Sequence, residues 1–198
     1  MKAPSNLFLS ALGLGSIILA CGPRLPQPGV PADGPAVPPQ LASHGAVIPL
    51  DGGERRTRRF PGASSEFTIK IDSTNGGAPD LVMGYEELAP GAVIPPHRHL
   101  MSDEILFVHH GIGIATLGEI DSPVRTGATV YIPRNTRISF RNTGPDSLGL
   151  VFIFSHPGFE QYLRATSTPT GTKVVPMTAE ELARVRRANQ WHTEYDRP

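Results

Sequence analysis

The sequence contains almost no cysteine, no excess of either charge and few aromatic residues. Cys21 is the only cysteine among 198 residues, so the chain can form no internal disulfide and no thiolate cluster for a metal. The 18 basic and 18 acidic residues cancel, which removes the electrostatic argument for binding a nucleic acid or an acidic polymer. The composition therefore excludes a disulfide scaffold and favours a small-molecule substrate or ligand over a polyanion.

The longest hydrophobic run is too short to cross a bilayer. Residues 7–20 are apolar or small, whereas a membrane-spanning helix needs about 20 such residues. Lys2 precedes the run and Cys21 follows it, an order that resembles a bacterial lipoprotein signal. The resemblance implies that residues 1–20 are removed and that Cys21 is lipidated, with the protein anchored to the membrane, on the periplasmic side of the outer membrane in a Gram-negative cell. The alternative is an ordinary secretory signal or a short buried helix.

Glycine and proline are abundant, with 21 residues each, as is typical of a turn-rich β-protein with a disordered segment. Seven of the prolines lie within residues 22–40, which predicts a polyproline-like tether over residues 21–45. The remaining length fits one domain. We place the domain at residues 46–175, followed by a C-terminal helix and tail over residues 176–198.

Short segments with alternating polarity predict an all-β domain. Phe67, Ile69 and Ile71 alternate with polar residues, as in a half-buried strand. Further strands are predicted at residues 81–88, 105–108, 113–117, 129–132, 137–141 and 148–154. Helices are predicted at residues 159–164 and 178–190, the second after a capping box. The four arginines within residues 55–59 are interpreted as part of a solvated strand or loop.

Two histidines and a glutamate have the spacing of a metal site. His97 and His99 point to the same side of an extended strand because successive side chains alternate. Glu104 follows five residues later, across a polar break of hairpin-loop length that would return it beside the two imidazoles. Two imidazoles and one carboxylate that converge are the ligands of a metal site.

This spacing resembles the first motif of the cupin superfamily, with every position present: Gly91, His97, His99, Glu104 and Gly111. A second cupin motif follows in part, at Gly127, Pro133 and residues 140–142. Two positions depart from the family pattern. Asn135 replaces a glycine, which asparagine tolerates because it adopts left-handed backbone readily. Ile138 replaces the third histidine of metal-binding cupins, and the sequence aims neither His110 nor His156 at the vacant position.

The resemblance covers roughly residues 65–165 and implies a small antiparallel β-barrel, the double-stranded β-helix, that pairs as a homodimer. It also implies a divalent metal ion (Fe, Mn, Ni or Zn) held by His97, His99 and Glu104. The predicted pocket is lined by Leu106, Val108, Ile138 and Phe140.

Two functions agree with these features. The first is a quercetin-dioxygenase-like enzyme that acts on a small oxygenated molecule, with Glu104 also accepting a proton. The second is a non-catalytic ligand-binding or sensor module, with or without metal, which the lost histidine and the membrane tether favour.

Overall fold

The computed structural model describes residues 45–49, 51–60 and 66–196. The predicted signal segment, Cys21 and all of the predicted tether except residue 45 lie outside these residues. Within the described ranges, no helix combines the length and the apolar character that a membrane crossing requires.

The described residues form two antiparallel sheets. The larger sheet contains β1 (Glu54–Arg58), β2 (Glu66–Ile71), β3 (Val82–Leu88), β5 (Glu104–His110), β8 (Thr129–Ile132), β10 (Leu148–Phe154) and β11 (Ser167–Pro169), in the order β11-β1-β2-β3-β10-β5-β8. The smaller sheet contains β4 (Val93–His99), β6 (Ile112–Leu117), β7 (Ile120–Arg125), β9 (Ile138–Asn142) and β12 (Thr193–Tyr195), in the order β12-β4-β9-β6-β7.

One apolar core joins the two sheets. Leu106 and Val108 of β5 belong to the same buried cluster as Ile138 and Phe140 of β9. These side chains face inward because each strand alternates between a buried and a more exposed position. The predicted all-β class is therefore confirmed, although the two sheets do not close into a barrel by hydrogen bonding between them.

The predicted hairpin between His99 and Glu104 is wrong. Strand β4 pairs with β9 and β12, and strand β5 pairs with β10 and β8, so neither has a free edge for the other. Residues 100–103 instead cross from one sheet to the other, and Asp103 exchanges backbone and side-chain hydrogen bonds with Ser155 at the end of β10. Glu104 reaches the two imidazoles from the opposite sheet, across the core.

Two short helices cover one part of the sandwich. Helix α1 (Phe159–Ala165) follows β10 directly, and helix α2 (Ala179–Ala188) begins after Thr178. The predicted capping box is confirmed, because Thr178 accepts from the Glu181 backbone N–H and the Glu181 carboxylate accepts from that of Thr178. The predicted tail is more ordered than expected, since it forms β12 against β4.

Backbone conformation explains three motif positions. Gly91 and Gly111 have φ angles of 75° and 91°, in the left-handed region that glycine enters at little cost. Asn135 has φ 64° and is the one non-glycine residue with positive φ in the described part of the chain, as its replacement of glycine predicts. Its backbone N–H donates to the His99 carbonyl at 2.6 Å, so this turn holds the end of β4.

The prediction of a solvated arginine segment is wrong for two of its members. Arg56 donates to the Ser167 hydroxyl and pairs with Glu54. Arg58 pairs with Glu86 at 3.0 Å, and both side chains are largely buried. Strand β1 lies between β2 and β11, which encloses side chains that a free edge would expose.

Candidate metal centre

His97, His99 and Glu104 converge in the core between the sheets. One ligand atom from each residue lies within 4.8 Å of the other two. The Nε2 atoms of His97 and His99 are 3.2 Å apart, and His99 Nε2 is 3.5 Å from Glu104 Oε2. All three residues are at most 5% exposed. The predicted ligand set is thus assembled in three dimensions, with its donor atoms facing a common point.

The orientation of His97 leaves its Nε2 atom available to a metal. Its Nδ1–H donates to the Pro95 carbonyl at 2.8 Å, which places the proton on Nδ1 and the lone pair on Nε2. Burial lowers the pKa of His97, so the ring is neutral. In a metal-binding histidine, the ring nitrogen that does not bind the metal usually donates a hydrogen bond, and this bond fixes the tautomer.

His99 is oriented by the C-terminal strand. Its Nδ1 lies 3.1 Å from the Thr193 hydroxyl, which also lies 2.9 Å from Nδ1 of the buried His192. A hydroxyl group can accept one hydrogen bond and donate another. Thr193 can therefore accept from His99 Nδ1–H and donate to His192 Nδ1, which leaves His99 Nε2 free as a ligand. Burial and the nearby His97 hold the pKa of His99 well below its usual range.

Glu104 is a buried carboxyl group that pairs with no lysine or arginine of the described ranges. Its Oε2 atom accepts no hydrogen bond from the described residues. Burial, with a further contribution from the Glu86 carboxylate, raises the pKa of Glu104 to about 8. A buried carboxylate is costly unless a positive charge compensates it.

These properties fit a divalent cation. Two neutral imidazole nitrogens and an unsatisfied carboxylate oxygen form a donor set suited to iron, manganese, nickel or zinc. A cation at their common point would compensate the Glu104 charge and would separate two Nε2 lone pairs that now face each other at 3.2 Å. The residues present therefore fit the metal that the sequence predicts.

A cavity of about 110 Å³ opens beside the three ligands. Among the predicted pocket residues, Leu106, Ile138 and Phe140 line it, whereas Val108 lies in the core outside the lining. Ile138 is opposite His97 in the pairing of β4 with β9, where it presents an apolar wall in place of a third imidazole. Further apolar walls come from both sheets and from α1, at Ile94, Phe152, Phe154, Phe159 and Leu163.

The C-terminal part of the chain supplies cavity residues that sequence reasoning missed. Tyr195 stacks on the His97 ring with centroids 5.4 Å apart, and Tyr162 and Arg186 also line the cavity. No local pattern marks these residues as cavity lining. Tyr195 lies on a strand of only three residues, and Tyr162 and Arg186 lie on helices. The only available signal was the alternation of Thr193 and Tyr195, which predicts that both point to one face.

None of the other described histidines belongs to the ligand cluster. His109 and His156 are exposed, and His110 pairs with Glu87 at the outer surface. His192 is buried next to His99, but its Nδ1 binds Thr193 and its side chain does not line the cavity. Burial lowers the pKa of His192 to about 4, so it is neutral.

Comparison with known families agrees with the resemblance seen in the sequence. Residues 84–154 match the family model described as the cupin domain, a segment that contains all three candidate ligands. The matched segment, about a third of the chain, resembles the cupin domain and runs from strand β3 to the end of strand β10.

Several curated proteins are similar over part of the chain. Protein SchB of Streptomyces halstedii is 38% identical over 82 residues, which is 41% of this chain and 59% of that protein. Dimethylsulfoniopropionate lyase DddW of Ruegeria pomeroyi is 29% identical over 113 residues, or 57% and 70% of the two chains. Auxin-binding protein 1 of Arabidopsis thaliana is 28% identical over 96 residues, or 44% and 48%. The chain thus spans less than two thirds of the length of SchB.

Among solved structures, a predicted oxalate decarboxylase from Thermotoga maritima is 19% identical with a TM-score of 0.49, covering 57% of this chain and 100% of that one. A cupin-2 domain from Rhodospirillum rubrum is 20% identical with a TM-score of 0.42, covering 62% and 71%. The names of these proteins include enzymes and a binding protein.

Proposed function

We propose that the protein binds one divalent transition metal through His97, His99 and Glu104 and acts on a small oxygenated molecule in the adjacent cavity. The observation that carries this proposal is the buried Glu104 carboxyl group, which has two neutral imidazoles beside it and no positive partner among the described residues. Non-haem iron oxygenases use the same ligand types and leave positions open for substrate and dioxygen. A dioxygenase-type oxidoreductase is accordingly the first candidate.

The proposed roles of the metal and of the surrounding residues follow from their positions around the cavity. A bound metal would supply a Lewis acid with open coordination positions. Ile138, Phe140 and Leu106 would exclude water and provide contact area for the ligand. Glu104 is also the proposed proton acceptor, since it is the carboxylate of the ligand set and borders the cavity.

A non-catalytic ligand-binding module is the second candidate. Ile138 favours it, because an apolar side chain stands where a third histidine would strengthen metal binding. The similarity to auxin-binding protein 1 also supports it, since that protein is named for binding. Dioxygen uptake by the Fe(II)-loaded chain, measured with an oxygen electrode against a panel of small oxygenated compounds, separates the two. Uptake that requires a particular compound supports the enzyme, and binding without uptake or product supports the module.

Metal content is the decisive measurement for either candidate. We expect the chain, purified without chelator and loaded in turn with Fe(II), Mn(II), Ni(II) and Zn(II), to hold close to one equivalent by mass spectrometry of its metals. The double variant His97→Ala, His99→Ala should lose that metal. The matched control is His109→Ala, His110→Ala, which alters an adjacent pair of histidines on the outer face and should retain it. A wild-type chain that stays empty under every loading condition would contradict the proposal.

We also propose that Cys21 is lipidated and anchors the exported domain to a bacterial membrane. The support is the order of Lys2, the apolar run and Cys21. Radiolabelled palmitate should enter the wild-type chain expressed in a bacterium and should not enter Cys21→Ala. Equal labelling of the two chains, or none, would contradict the anchor.

A homodimer is the proposed assembly. Ile105, Phe107 and Tyr131 form an apolar patch on the outer face of β5 and β8, beside the free edge of the larger sheet. A second copy of the chain would cover this patch. Light scattering after gel filtration should give twice the chain mass, and Phe107→Lys should reduce it to the mass of one chain. A wild-type monomer at high concentration would exclude this assembly.

A further inference from the structure

A second group of polar side chains faces the cavity from the C-terminal part of the chain. Tyr162 of α1, Arg186 of α2 and Tyr195 of β12 line it together with the metal ligands. We propose that Arg186 and Tyr162 bind the carboxylate of a small organic acid whose remaining oxygen atoms face the metal ligands. This inference rests on the proposed metal-dependent function and names its substrate class.

Arg186 is a positioned cation that meets no carboxylate of the described residues. Its guanidinium carbon lies 4.5 Å from the centroid of the Tyr195 ring, which holds it against the cavity wall. None of the ion pairs within the described part of the chain includes Arg186. Its Nε atom is buried and donates no hydrogen bond to a described residue. A buried N–H without an acceptor is costly, and a carboxylate in the cavity would supply that acceptor.

Tyr162 provides the second donor. The residue is 2% exposed and lines the cavity, and its hydroxyl has no partner of good hydrogen-bond geometry among the described residues. Burial and the neighbouring Tyr162 hydroxyl raise the pKa of Tyr195, which places the Tyr195 O–H towards Tyr162 and leaves the Tyr162 O–H available to donate to a ligand. Buried tyrosine hydroxyl groups normally find a partner. A tyrosine O–H can donate to a carboxylate oxygen, so the two groups left unsatisfied on this wall require the same kind of ligand.

The charges around the cavity favour an anionic ligand. Arg58 and Glu86 also line the cavity, but they form an ion pair with each other at 3.0 Å. The two imidazoles are neutral, and Glu104 offsets only one of the two charges of a divalent metal. The metal-bound site with Arg186 therefore keeps a positive excess, which the carboxylate of a ligand would reduce.

The size of the cavity limits the ligand. Its volume of about 110 Å³ is smaller than the ~150 Å³ of an apolar cavity that accepts benzene. The ligand is therefore a short organic acid of a few carbon atoms. Residue 154 ends the family match, so the metal ligands lie inside the matched segment and the carboxylate-binding wall lies beyond it.

The test compares acids with their neutral amides. Calorimetric titration of the metal-loaded and the metal-free full chain uses glycolate, lactate and malonate beside glycolamide, lactamide and malonamide. We expect at least one acid to bind at least tenfold more tightly than its amide. Arg186→Gln should abolish this preference, Arg186→Lys should keep part of it, and Tyr162→Phe should weaken binding of the acid severalfold. The matched control is Arg187→Gln, which alters an exposed arginine next in the same helix and should behave as wild type. Circular dichroism checks that each variant is folded.

The outcomes separate this inference from the proposed function. A chain that binds metal but shows no preference for acids, or a preference that survives in Arg186→Gln, overturns the inference and leaves the metal function standing. A chain that binds no metal but shows a preference dependent on Arg186 supports carboxylate binding and overturns the metal function. The absence of both metal binding and acid preference overturns both.

Discussion

Two buried carboxyl groups in this protein have opposite surroundings. Asp72, at the end of β2, is fully buried, with Arg164 Nη2 2.6 Å from its Oδ2 atom. Its Oδ1 atom accepts hydrogen bonds from Thr74 and from the Asn75 backbone N–H. Burial alone would raise the pKa of Asp72, but the Asn75 hydrogen bond and Arg164 outweigh it, and the net pKa is lowered. Glu104 has no such cation within the described part of the chain, and burial raises its pKa to about 8.

The difference shows what each carboxylate is suited to do. The chain itself supplies the positive charge that Asp72 needs, so this group stabilises the fold. At Glu104 the chain supplies two neutral imidazoles instead, so the compensating charge must come from outside. A buried acid that the fold leaves uncompensated is a functional candidate, whereas a paired one is structural.

The largest expected effect comes from removing the charge of Asp72, the structural carboxylate. Asp72→Asn should lower the free energy of unfolding by about 3 kcal/mol, because it removes the charge that Arg164 and the buried turn require. Urea unfolding of the metal-free chain at pH 7 measures this loss. Asp80→Asn, at an exposed position, should change stability by less than about 0.5 kcal/mol. Equal effects of the two substitutions would contradict a stabilising role for Asp72.

A smaller effect, dependent on pH, is expected at Glu104. Because the pKa of its carboxyl group is raised on folding, the folded chain retains a proton that the unfolded chain loses near pH 4.5. Stability of the metal-free chain should therefore fall as pH rises towards 8. His97, His99 and His192 act in the opposite direction just above pH 6.5, because their pKa values are lowered on folding and the unfolded chain still binds protons there, so a comparison with Glu104→Gln isolates the glutamate.

Urea unfolding in the presence of chelator at pH 6.5 and pH 8 should show a loss of roughly 1.5 kcal/mol for the wild-type chain relative to Glu104→Gln. Glu104→Gln should lose none of this, because an amide does not ionise. Saturating metal should also suppress the loss in the wild-type chain. A wild-type slope that persists in Glu104→Gln would assign it to another group.

The smallest of the three effects is expected at Thr193, which supports the candidate metal centre through its contact with His99. Thr193→Val removes the hydroxyl at nearly constant volume and should weaken metal binding about tenfold, as expected for loss of a hydrogen bond behind a metal ligand. Thr193→Ser should restore most of the affinity. Competition with a chromophoric chelator measures both constants. A valine variant that binds metal as tightly as wild type would show that Thr193 does not orient His99.

The sequence predicts the candidate ligands better than their surroundings. His97 and His99 share a face through the period of a strand, and the inward direction of Ile138 follows from the same rule. The route of Glu104 was mispredicted as a hairpin, because the length of residues 100–103 does not show which edges of β4 and β5 other strands occupy. Local sequence patterns predict which way a side chain points, but they do not predict which strands pair with each other.

The missed residues depend on contacts between distant parts of the chain. The ion pair of Arg58 with Glu86 and the packing of Tyr195 on His97 each join segments that no local period connects. The exposure predicted for Arg58 failed because a charged residue is assumed to face water until its partner is known. The three residues of β12 are too few for an alternating pattern to identify a strand.

The pairing of β12 with β4 also has a consequence for the order of folding. Thr193 lies opposite His99 although 94 positions separate them along the chain, so their contact closes a long loop. Contacts at such separation form late, after local strands and helices have reduced the entropy that closure must overcome. During synthesis, β4 and β5 leave the ribosome well before β12. A newly made chain therefore lacks the Thr193 contact behind His99 until the last strand arrives.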